Sequence, residues 1–342
     1  MASFASRVVA WQQAHGRHDL PWQRTRDAYR VWLSEIMLQQ TQVSTVLPYY
    51  ERFLDRFPTV AALAEAPEED VMRLWSGLGY YARARNLHRA AQEVVERHGG
   101  VFPKSFEALV ALPGVGRSTA AAIAAFSAGE RRAILDGNVR RVLARHAAVE
   151  GDPSSAAVLA RLWSVAEERV PEAGIEAYTQ GMMDLGAGIC TTRDPACLSC
   201  PVGDDCRARI EDRIAELPGR RAKRVAPRRG VAMLVLLSAG EVLLEKRPSK
   251  GIWGGLWSLP EADVGSDIAS EVSRRYGVAG ATPDPLPPFE HAFTHFTLEV
   301  APWRVPLRTR PDCAEGTSWL PLADVSGAAL PSPVKALLSR LG

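Results

Sequence analysis

Four of the five cysteines lie within one short segment, and no other feature limits the possible folds as strongly. They are Cys190, Cys197, Cys200 and Cys206, with the spacing C-x6-C-x2-C-x5-C. Disulfides do not persist in a reducing compartment, so a tight cysteine cluster indicates a metal centre. Four thiolates suit both tetrahedral zinc and an iron-sulfur cluster, and residue type alone leaves the two open. We expect Cys313, the fifth, to be a small buried apolar side chain.

Length and charge set further limits. A chain of 342 residues is too long for one ordinary core, which predicts two domains. A net charge of +2 does not by itself indicate a nucleic-acid partner. No apolar run approaches the ~18 residues of a membrane span, and the first residues lack the pattern of a secretory signal. We therefore expect a cytoplasmic protein that does not contact a membrane.

The spacing of apolar residues changes along the chain. Residues 1–214 repeat at helical spacing with Gly or Pro at the breaks, which predicts a helical domain. Residues 215–229 are basic and contain prolines and glycines, as interdomain linkers do, and residues 230–342 read as a smaller mixed α+β domain. The elements expected there are a hairpin of Val231–Leu237 and Val242–Glu245, a helix at Asp267–Tyr276, a strand at Phe296–Val300 and a final helix at Val334–Leu341.

Residues 106–127 predict a pair of helices joined by a tight turn. A short apolar helix leads to Leu112-Pro113-Gly114-Val115-Gly116, and an Ala-rich helix begins at Arg117. Glycines permit a tight turn and let backbone N–H groups approach a phosphate, which binds DNA regardless of sequence. An ordinary helix-helix corner has the same appearance, so the motif alone leaves both readings open.

Two carboxylates stand out as candidates for catalysis. Asp136 precedes a basic helix containing Arg140, Arg141 and Arg145, where an aspartate is often only an N-cap and the arginines can be a solvated face or phosphate contacts. Glu35 has Val31 and Leu38 at helical spacing, and such apolar neighbours would raise a carboxyl pKa. A solvated surface glutamate is the ordinary alternative.

Several motifs together resemble the MutY-type adenine DNA glycosylases of the helix-hairpin-helix, endonuclease III-like superfamily. They are the cysteine spacing, the hairpin at 112–119, the segment Val31–Gln42 and Gly77-Leu78-Gly79-Tyr80-Tyr81. The resemblance implies a [4Fe-4S] cluster held by the four cysteines. It implies that Glu35 protonates adenine N7 and that Asp136 stabilises the positive charge on the deoxyribose.

The same resemblance assigns the DNA-binding residues. Gly114 and Gly116 belong to the hairpin, and Ser118 stands where members that also cleave the backbone carry a Schiff-base lysine, which implies a monofunctional hydrolase. Arg140 is expected to contact phosphate. The remaining assignments are wedge residues Gln40 and Tyr80, and pocket residues Trp22, which lines the adenine site, and Gln180, which hydrogen-bonds the flipped base.

The C-terminal domain is similar to the MutT-like domain of that family. Its helix after Asp267 offers only Asp267 and Glu271 as carboxylates, too few for a magnesium-dependent diphosphate hydrolase. The resemblance implies recognition of 8-oxoguanine by the loop Phe293-Thr294-His295, in which related proteins usually have Ser where this chain has Thr294.

We therefore expect a monomeric enzyme that hydrolyses adenine from duplex DNA containing adenine opposite 8-oxoguanine or guanine, in base excision repair. Two alternatives stay open. One is an endonuclease III-like glycosylase with lyase activity, against which Ser118 argues. The other is a non-catalytic iron-sulfur protein that binds lesions, which would need neither Glu35 nor Asp136.

Overall fold

The contacts of the chain separate it into two compact units. The computed structural model describes residues 2–219, 226–312 and 314–341. The first unit comprises Met1–Glu65 and Asn86–Lys223, and the second comprises Ala66–Arg85 and Arg224–Gly342. The sequence did not indicate that residues 66–85 group with the C-terminal part. Part of the predicted linker 215–229, and Cys313, lie outside the described residues.

The first two thirds of the chain are helical, as predicted, and no strand precedes Arg228 in the described residues. The helices are α1 Phe4–His15, α2 Ala28–Leu38, α3 Val43–Arg56, α4 Val60–Glu65, α5 Glu68–Trp75, α6 Ala82–His98, α7 Phe106–Ala111, α8 Arg117–Ala128, α9 Gly137–His146, α10 Ala156–Glu168, α11 Ile175–Asp184 and α12 Arg207–Ile210. Helix α5 and the start of α6 belong to the second unit.

Side-chain caps and small residues explain why the central helices lie where they do. Asp27 caps α2 by accepting a hydrogen bond from the Arg30 N–H at 3.1 Å. Helix α8 buries its alanines almost completely around Ile123 and packs against α2. Because alanine side chains are short, the two helix backbones come close together. This packing sets the helix that carries Glu35 beside the helix that follows the hairpin.

The second unit is built on a mixed sheet, and its predicted hairpin is confirmed. Within the described residues the strands are β1 Arg228–Ser238, β2 Glu241–Lys246, β3 Trp257–Ser258, β4 Glu261–Ala262, β5 Asp284–Pro285, β6 Phe289–Ala292, β7 Thr297–Pro306 and β8 Thr317–Pro321. The central order is β3-β2-β1-β7-β5, with β1 and β7 parallel and the other pairs antiparallel. Helices α13 Ile268–Tyr276 and α14 Ser332–Leu338 complete the unit.

Helix α13 and one face of the sheet form the apolar core of this unit. Ile268 and Val272 are buried against Leu234, Leu236 and Leu243. The strand predicted at Phe296–Val300 is longer in the structure, because β7 continues through Pro302 to Pro306. Prolines argue against a central strand in sequence reasoning, which is why the prediction ended early.

Among the helices of the described residues, none combines the length and the apolar composition that a membrane crossing requires.

Candidate active site

Helix α2 places Glu35 among apolar neighbours in the first unit. Its helical neighbours include Val31, Leu33 and Ile36, all buried. Part of the Glu35 side chain still reaches solvent, but protein surrounds the carboxyl closely enough that desolvation raises its pKa to about 8. No described residue forms a hydrogen bond with this carboxyl. A carboxyl group in this environment keeps its proton near neutral pH.

Asp136 caps the N-terminus of α9 and is also near Glu35. Its Oδ1 accepts a hydrogen bond from the Val139 N–H at 2.8 Å, which is the ordinary N-cap role. Burial raises the pKa of Asp136, while backbone hydrogen bonds from Val139 and Asn138 and the charges of Arg141 and Arg140 oppose the shift. The capping role and a catalytic role are therefore compatible, because the N-terminus of a helix favours the charged form of a carboxyl.

The two carboxyl groups interact, and their surroundings differ. The charge of Asp136 is the second cause, after desolvation, of the raised pKa of Glu35. Asp136 has backbone donors and two arginines to stabilise its charge, whereas Glu35 has none of these among the described residues. These surroundings favour the charged form of Asp136 more than that of Glu35. Paired carboxyls with pKa values pushed apart are the usual arrangement for a division into acid and anion.

A cavity of about 240 Å³ opens beside helix α2 in the first unit. Trp22 and Gln180, the two predicted pocket residues, both line it, together with Val31 and Ser34 from α2. Trp22 is buried, and its ring meets Tyr50 edge to face at 5.2 Å between centroids. Glu35 itself follows Ser34 and does not line the cavity. The cavity offers a flat aromatic wall and a polar amide, a lining suited to a planar polar ring.

The hairpin between α7 and α8 has one glycine that the fold requires and one that it does not. Gly114 has a φ of +77°, and a Cβ there would lie 2.8 Å from Cβ of Asn86. Gly116 has an ordinary backbone conformation and caps α8, and a Cβ there would meet nothing within 4 Å. Ser118, in the first turn of α8, accepts a hydrogen bond from the Leu135 N–H at 2.9 Å through its hydroxyl. That bond fixes the backbone immediately before Asp136.

The three arginines of α9 have different surroundings. Arg140 is half-buried and donates to the Leu135 carbonyl at 3.3 Å. Arg145 is only 3% exposed and donates to the carbonyls of Thr191 and Leu217 at 2.7 and 2.8 Å. Neither interpretation offered for the basic helix, a solvated face or phosphate contacts, applies to Arg145, because its guanidinium is hydrogen-bonded inside the protein.

Arg141 is likewise held by the protein. It donates to the carbonyls of Gly186 and Cys190, each at 2.7 Å. With Arg145, whose Nη1 lies 3.4 Å from Sγ of Cys190, it connects α9 to the start of the cysteine loop. Helix α9, whose N-terminus is capped by Asp136, is thus anchored to the cysteine loop toward its C-terminus.

The four cysteines converge on one pocket. Cys190, Cys197, Cys200 and Cys206 all line it, with Val142 and Ile189 as apolar walls. Burial raises the pKa of Cys200 to about 11, and the other three thiols add to the shift, which shows that the four sulfurs are near one another. Within the described residues no three His, Cys, Asp or Glu side chains are drawn together as they would be around one metal ion. All four cysteines line one pocket, so they are placed to hold a single metal centre.

The predicted wedge residues share a strained backbone. Gln40, just after α2 in the first unit, has a φ of +58°. Tyr80, in the second unit, has a φ of +49° and a side chain that is 49% exposed. Non-glycine residues adopt this left-handed conformation at an energetic cost, and such strain is common at functional sites. Both side chains are held outward on tight turns.

The predicted reader loop is supported by stacked aromatic rings in the second unit. Phe293 stacks on Phe296 at 4.6 Å between centroids and contacts Trp253 and His291 at 5.4 and 4.7 Å. Thr294 and His295, between the two phenylalanines, are exposed. The loop therefore presents a hydroxyl and an imidazole on a rigid aromatic base.

Two positions near these sites were not predicted. Asp184 accepts hydrogen bonds from Gln180 and Arg17 at the cavity, and Trp253 supports the reader loop with a φ of +53°. Asp184 lies four residues after Gln180, one turn along α11, and this spacing could have indicated it. Of the α13 carboxylates, Asp267 caps the helix and Glu271 pairs with Arg274 at 2.5 Å.

Comparison with known proteins agrees with these features. Residues 33–168 match the family profile of the HhH-GPD superfamily base excision DNA repair proteins, and residues 231–340 match that of the NUDIX domain. The chain is 34% identical over 340 residues to the adenine DNA glycosylase of Buchnera aphidicola subsp. Acyrthosiphon pisum (strain APS), covering 98% of this chain and 97% of that one. It is 34% identical over 404 residues to the human adenine DNA glycosylase, covering 98% and 73%.

Solved structures give the same fold for the helical part. A thermostable thymine-DNA glycosylase superposes with a TM-score of 0.56 and 29% identity, covering 61% of this chain and 95% of that one. Endonuclease III in a non-covalent DNA complex superposes with a TM-score of 0.51 and 21% identity, covering 60% and 92%, and supports the fold. The expected fold class, a helix-hairpin-helix glycosylase region followed by a Nudix-like domain, is confirmed. The chain belongs to the adenine DNA glycosylase family of base excision repair enzymes.

Proposed function

We propose that this enzyme hydrolyses the N-glycosidic bond of adenine opposite 8-oxoguanine or guanine in duplex DNA, using Glu35 as the acid. The observation that carries the proposal is Glu35, whose pKa is raised to about 8, interacting with the Asp136 carboxyl and following Ser34 at a cavity lined by Trp22 and Gln180. The family supports adenine as the base removed. A flipped adenine enters the cavity, since chemistry on a base requires its removal from the stack.

The proposed chemistry uses Glu35 in its protonated form and Asp136 in its charged form. Glu35 donates its proton to a ring nitrogen of adenine, so that the base leaves as a neutral molecule. The bonding electrons leave with the base, and the sugar becomes a cation that the Asp136 carboxylate stabilises. Water then adds to the sugar carbon and loses a proton. Ser118 has no amine to form a Schiff base, and its hydroxyl already accepts from Leu135, which argues against a lyase reaction by that route.

The four cysteines are suited to hold a [4Fe-4S] cluster. They line one pocket with apolar walls, and buried arginine Arg145 approaches Cys190 Sγ, where a cation would stabilise a thiolate. When bound, such a cluster would crosslink the loop through these four cysteines. Arg141 and Arg145 join that loop to α9, so the loop supports the helix whose first turn carries Asp136.

The two hairpin glycines give a matched pair of variants for DNA binding. We expect G116A to leave stability unchanged but to weaken duplex binding about tenfold, because the added methyl is tolerated by the protein and faces the predicted phosphate. We expect G114A to lower the stability of the fold by about 1 to 2 kcal/mol, because its φ of +77° disfavours alanine and the Cβ meets Asn86. Thermal unfolding and duplex affinity at fixed salt measure both. Unchanged DNA affinity in G116A would remove Gly116 from the interface.

The reader loop predicts a separable effect on lesion preference. We expect T294A to lower the preference for adenine opposite 8-oxoguanine over adenine opposite guanine about tenfold, the equivalent of one hydrogen bond. The aromatic base of the loop stays intact in this variant. T282A, at another exposed threonine of the second unit, is the matched control. Equal preferences in the two variants would argue against Thr294 as a reader.

One assay tests the proposed function and separates it from the alternatives. Adenine release is measured from duplexes that pair adenine with 8-oxoguanine, guanine or thymine. The proposal predicts release from the first two and little from the third. Borohydride trapping of a covalent protein-DNA adduct, at the level of genuine lyases, would favour the lyase alternative. Tight duplex binding without base release would favour the non-catalytic one.

A further inference from the structure

Asp184 lies behind the lining of the predicted adenine cavity, where it is hydrogen-bonded to two lining residues, Arg17 and Gln180. The side chain, at the last residue of α11, is 5% exposed. Its Oδ2 accepts from the Arg17 backbone N–H at 2.9 Å, and its Oδ1 accepts from Nε and Nη2 of Arg17 at 2.6 and 2.5 Å. Its Oδ1 also accepts from Nε2 of Gln180 at 2.8 Å. One buried carboxylate therefore holds two residues that line the cavity, Arg17 and Gln180.

This arrangement decides which end of the Gln180 amide is available to a ligand. An amide side chain offers donors on nitrogen and an acceptor on oxygen, and its two orientations have the same shape. A carboxylate paired with a guanidinium can only accept, so Gln180 must turn its nitrogen toward Asp184. The Gln180 Oε1 accepts no hydrogen bond from any described residue. The amide is thereby fixed with its carbonyl oxygen left for the ligand.

A fixed acceptor distinguishes purines by the group at carbon 6. The amino group of a 6-aminopurine donates a hydrogen bond to a carbonyl oxygen. A 6-oxopurine such as hypoxanthine places an acceptor there, and two facing acceptors repel each other in a partly buried site. If the Gln180 amide could rotate by 180°, its NH2 group would donate a hydrogen bond to the 6-oxo group. The cavity would then discriminate less between the two kinds of purine.

We infer that Asp184 is a specificity-determining positioning residue, which locks the Gln180 amide so that the cavity accepts 6-aminopurines and rejects 6-oxopurines. The inference rests on the proposed function. Arg17 contributes by pairing with the Asp184 carboxylate and by holding the cavity wall, since its own carbonyl accepts from Nε2 of Gln23 at 2.9 Å.

The test compares adenine with hypoxanthine in otherwise identical duplexes, by single-turnover release at saturating enzyme. Asp184→Asn replaces an acceptor with an amide that can also donate, which frees Gln180 to present either end. We expect its adenine-to-hypoxanthine rate ratio to fall about tenfold or more from the wild-type value. Comparing the ratio of each variant with the wild-type ratio cancels the intrinsic difference between the two leaving groups. It also cancels any uniform loss of activity. D55N, at an exposed aspartate of α3, is the matched control and should keep the wild-type ratio.

A double-mutant cycle tests whether Asp184 acts through Gln180. Gln180→Ala should lower the ratio as much as D184N does, and adding D184N to it should change the ratio no further. Asp184→Glu keeps an acceptor-only group and should preserve most of the ratio. Thermal unfolding and iron content show which variants are folded.

The results separate failure of this inference from failure of the proposed function. If the wild type releases adenine but the ratio in folded D184N stays within about twofold of wild type, Asp184 is only structural and the inference is wrong. If D184N does not fold, Q180A tests the inference instead. An unchanged rate ratio in Q180A would show that the Gln180 amide does not distinguish the groups at carbon 6 and would overturn the inference. A wild type that releases neither base would overturn the proposed function and this inference with it.

Discussion

Glu35→Gln is expected to lower the single-turnover rate of adenine release by about 10³-fold or more while duplex affinity stays within about twofold of wild type. Glutamine has nearly the same shape but no proton to give to the departing base. Because Glu35 is surrounded by apolar side chains and has no hydrogen-bond partner among the described residues, the substitution should leave the fold intact. The measurement is base release under single-turnover conditions on adenine opposite 8-oxoguanine, with affinity determined separately.

Glu51→Gln is the matched control for this result. Glu51 is exposed on α3 in the same unit, so its replacement should change neither rate nor affinity. Rates for E35Q within about tenfold of wild type would remove Glu35 from the role of acid, since general acid catalysis contributes more than that.

The second large effect is expected at the cysteine pocket. Replacing Cys200 with serine should lower bound iron and sulfide from about four per chain to a small fraction of that, and base release should fall with them. Cys200 lines the shared pocket and packs against the apolar core of the first unit. The loop it belongs to has short helical turns only at 197–199, so a metal centre is the main crosslink available to it.

Cys313 provides the control within the same chain. In the sequence it is more than 100 residues from the segment 190–206, so C313S is expected to keep full iron content and activity. Full iron in C200S would contradict the four-cysteine assignment. A colourless wild-type protein containing about one zinc per chain would contradict the iron-sulfur assignment and favour the tetrahedral alternative.

Local patterns predicted most of the fold because the relevant signals are local. Helical periodicity, the Asp136 cap, the glycine turn at Gly240 and the hairpin at 112–116 each depend on residues a few positions apart. The burial of Glu35 could also be predicted, since its apolar neighbours Val31 and Leu38 lie on the same helix. The cysteine spacing indicates a shared centre for the same reason, because all four thiols belong to one short segment.

Contacts between distant segments could not be predicted in the same way. Arg145 was expected on the surface because it belongs to a basic helix, but its partner carbonyl at Leu217 is 72 residues away. Asp184 binds Arg17 across 167 residues. The support that Trp253 gives to Phe293 depends on a left-handed backbone at a bulky residue. Such features arise from tertiary packing, which periodicity and composition do not encode.

The pH dependence of adenine release tests the role of Glu35 most directly. The raised pKa means that Glu35 holds its proton below about pH 8 and loses it above, so the acid form is present on the low side. With duplex binding kept saturating, the single-turnover rate should be level near neutral pH and fall about tenfold per unit above pH 8. A wild-type rate that stayed level or rose from pH 8 to about pH 9.5 would contradict proton donation by Glu35.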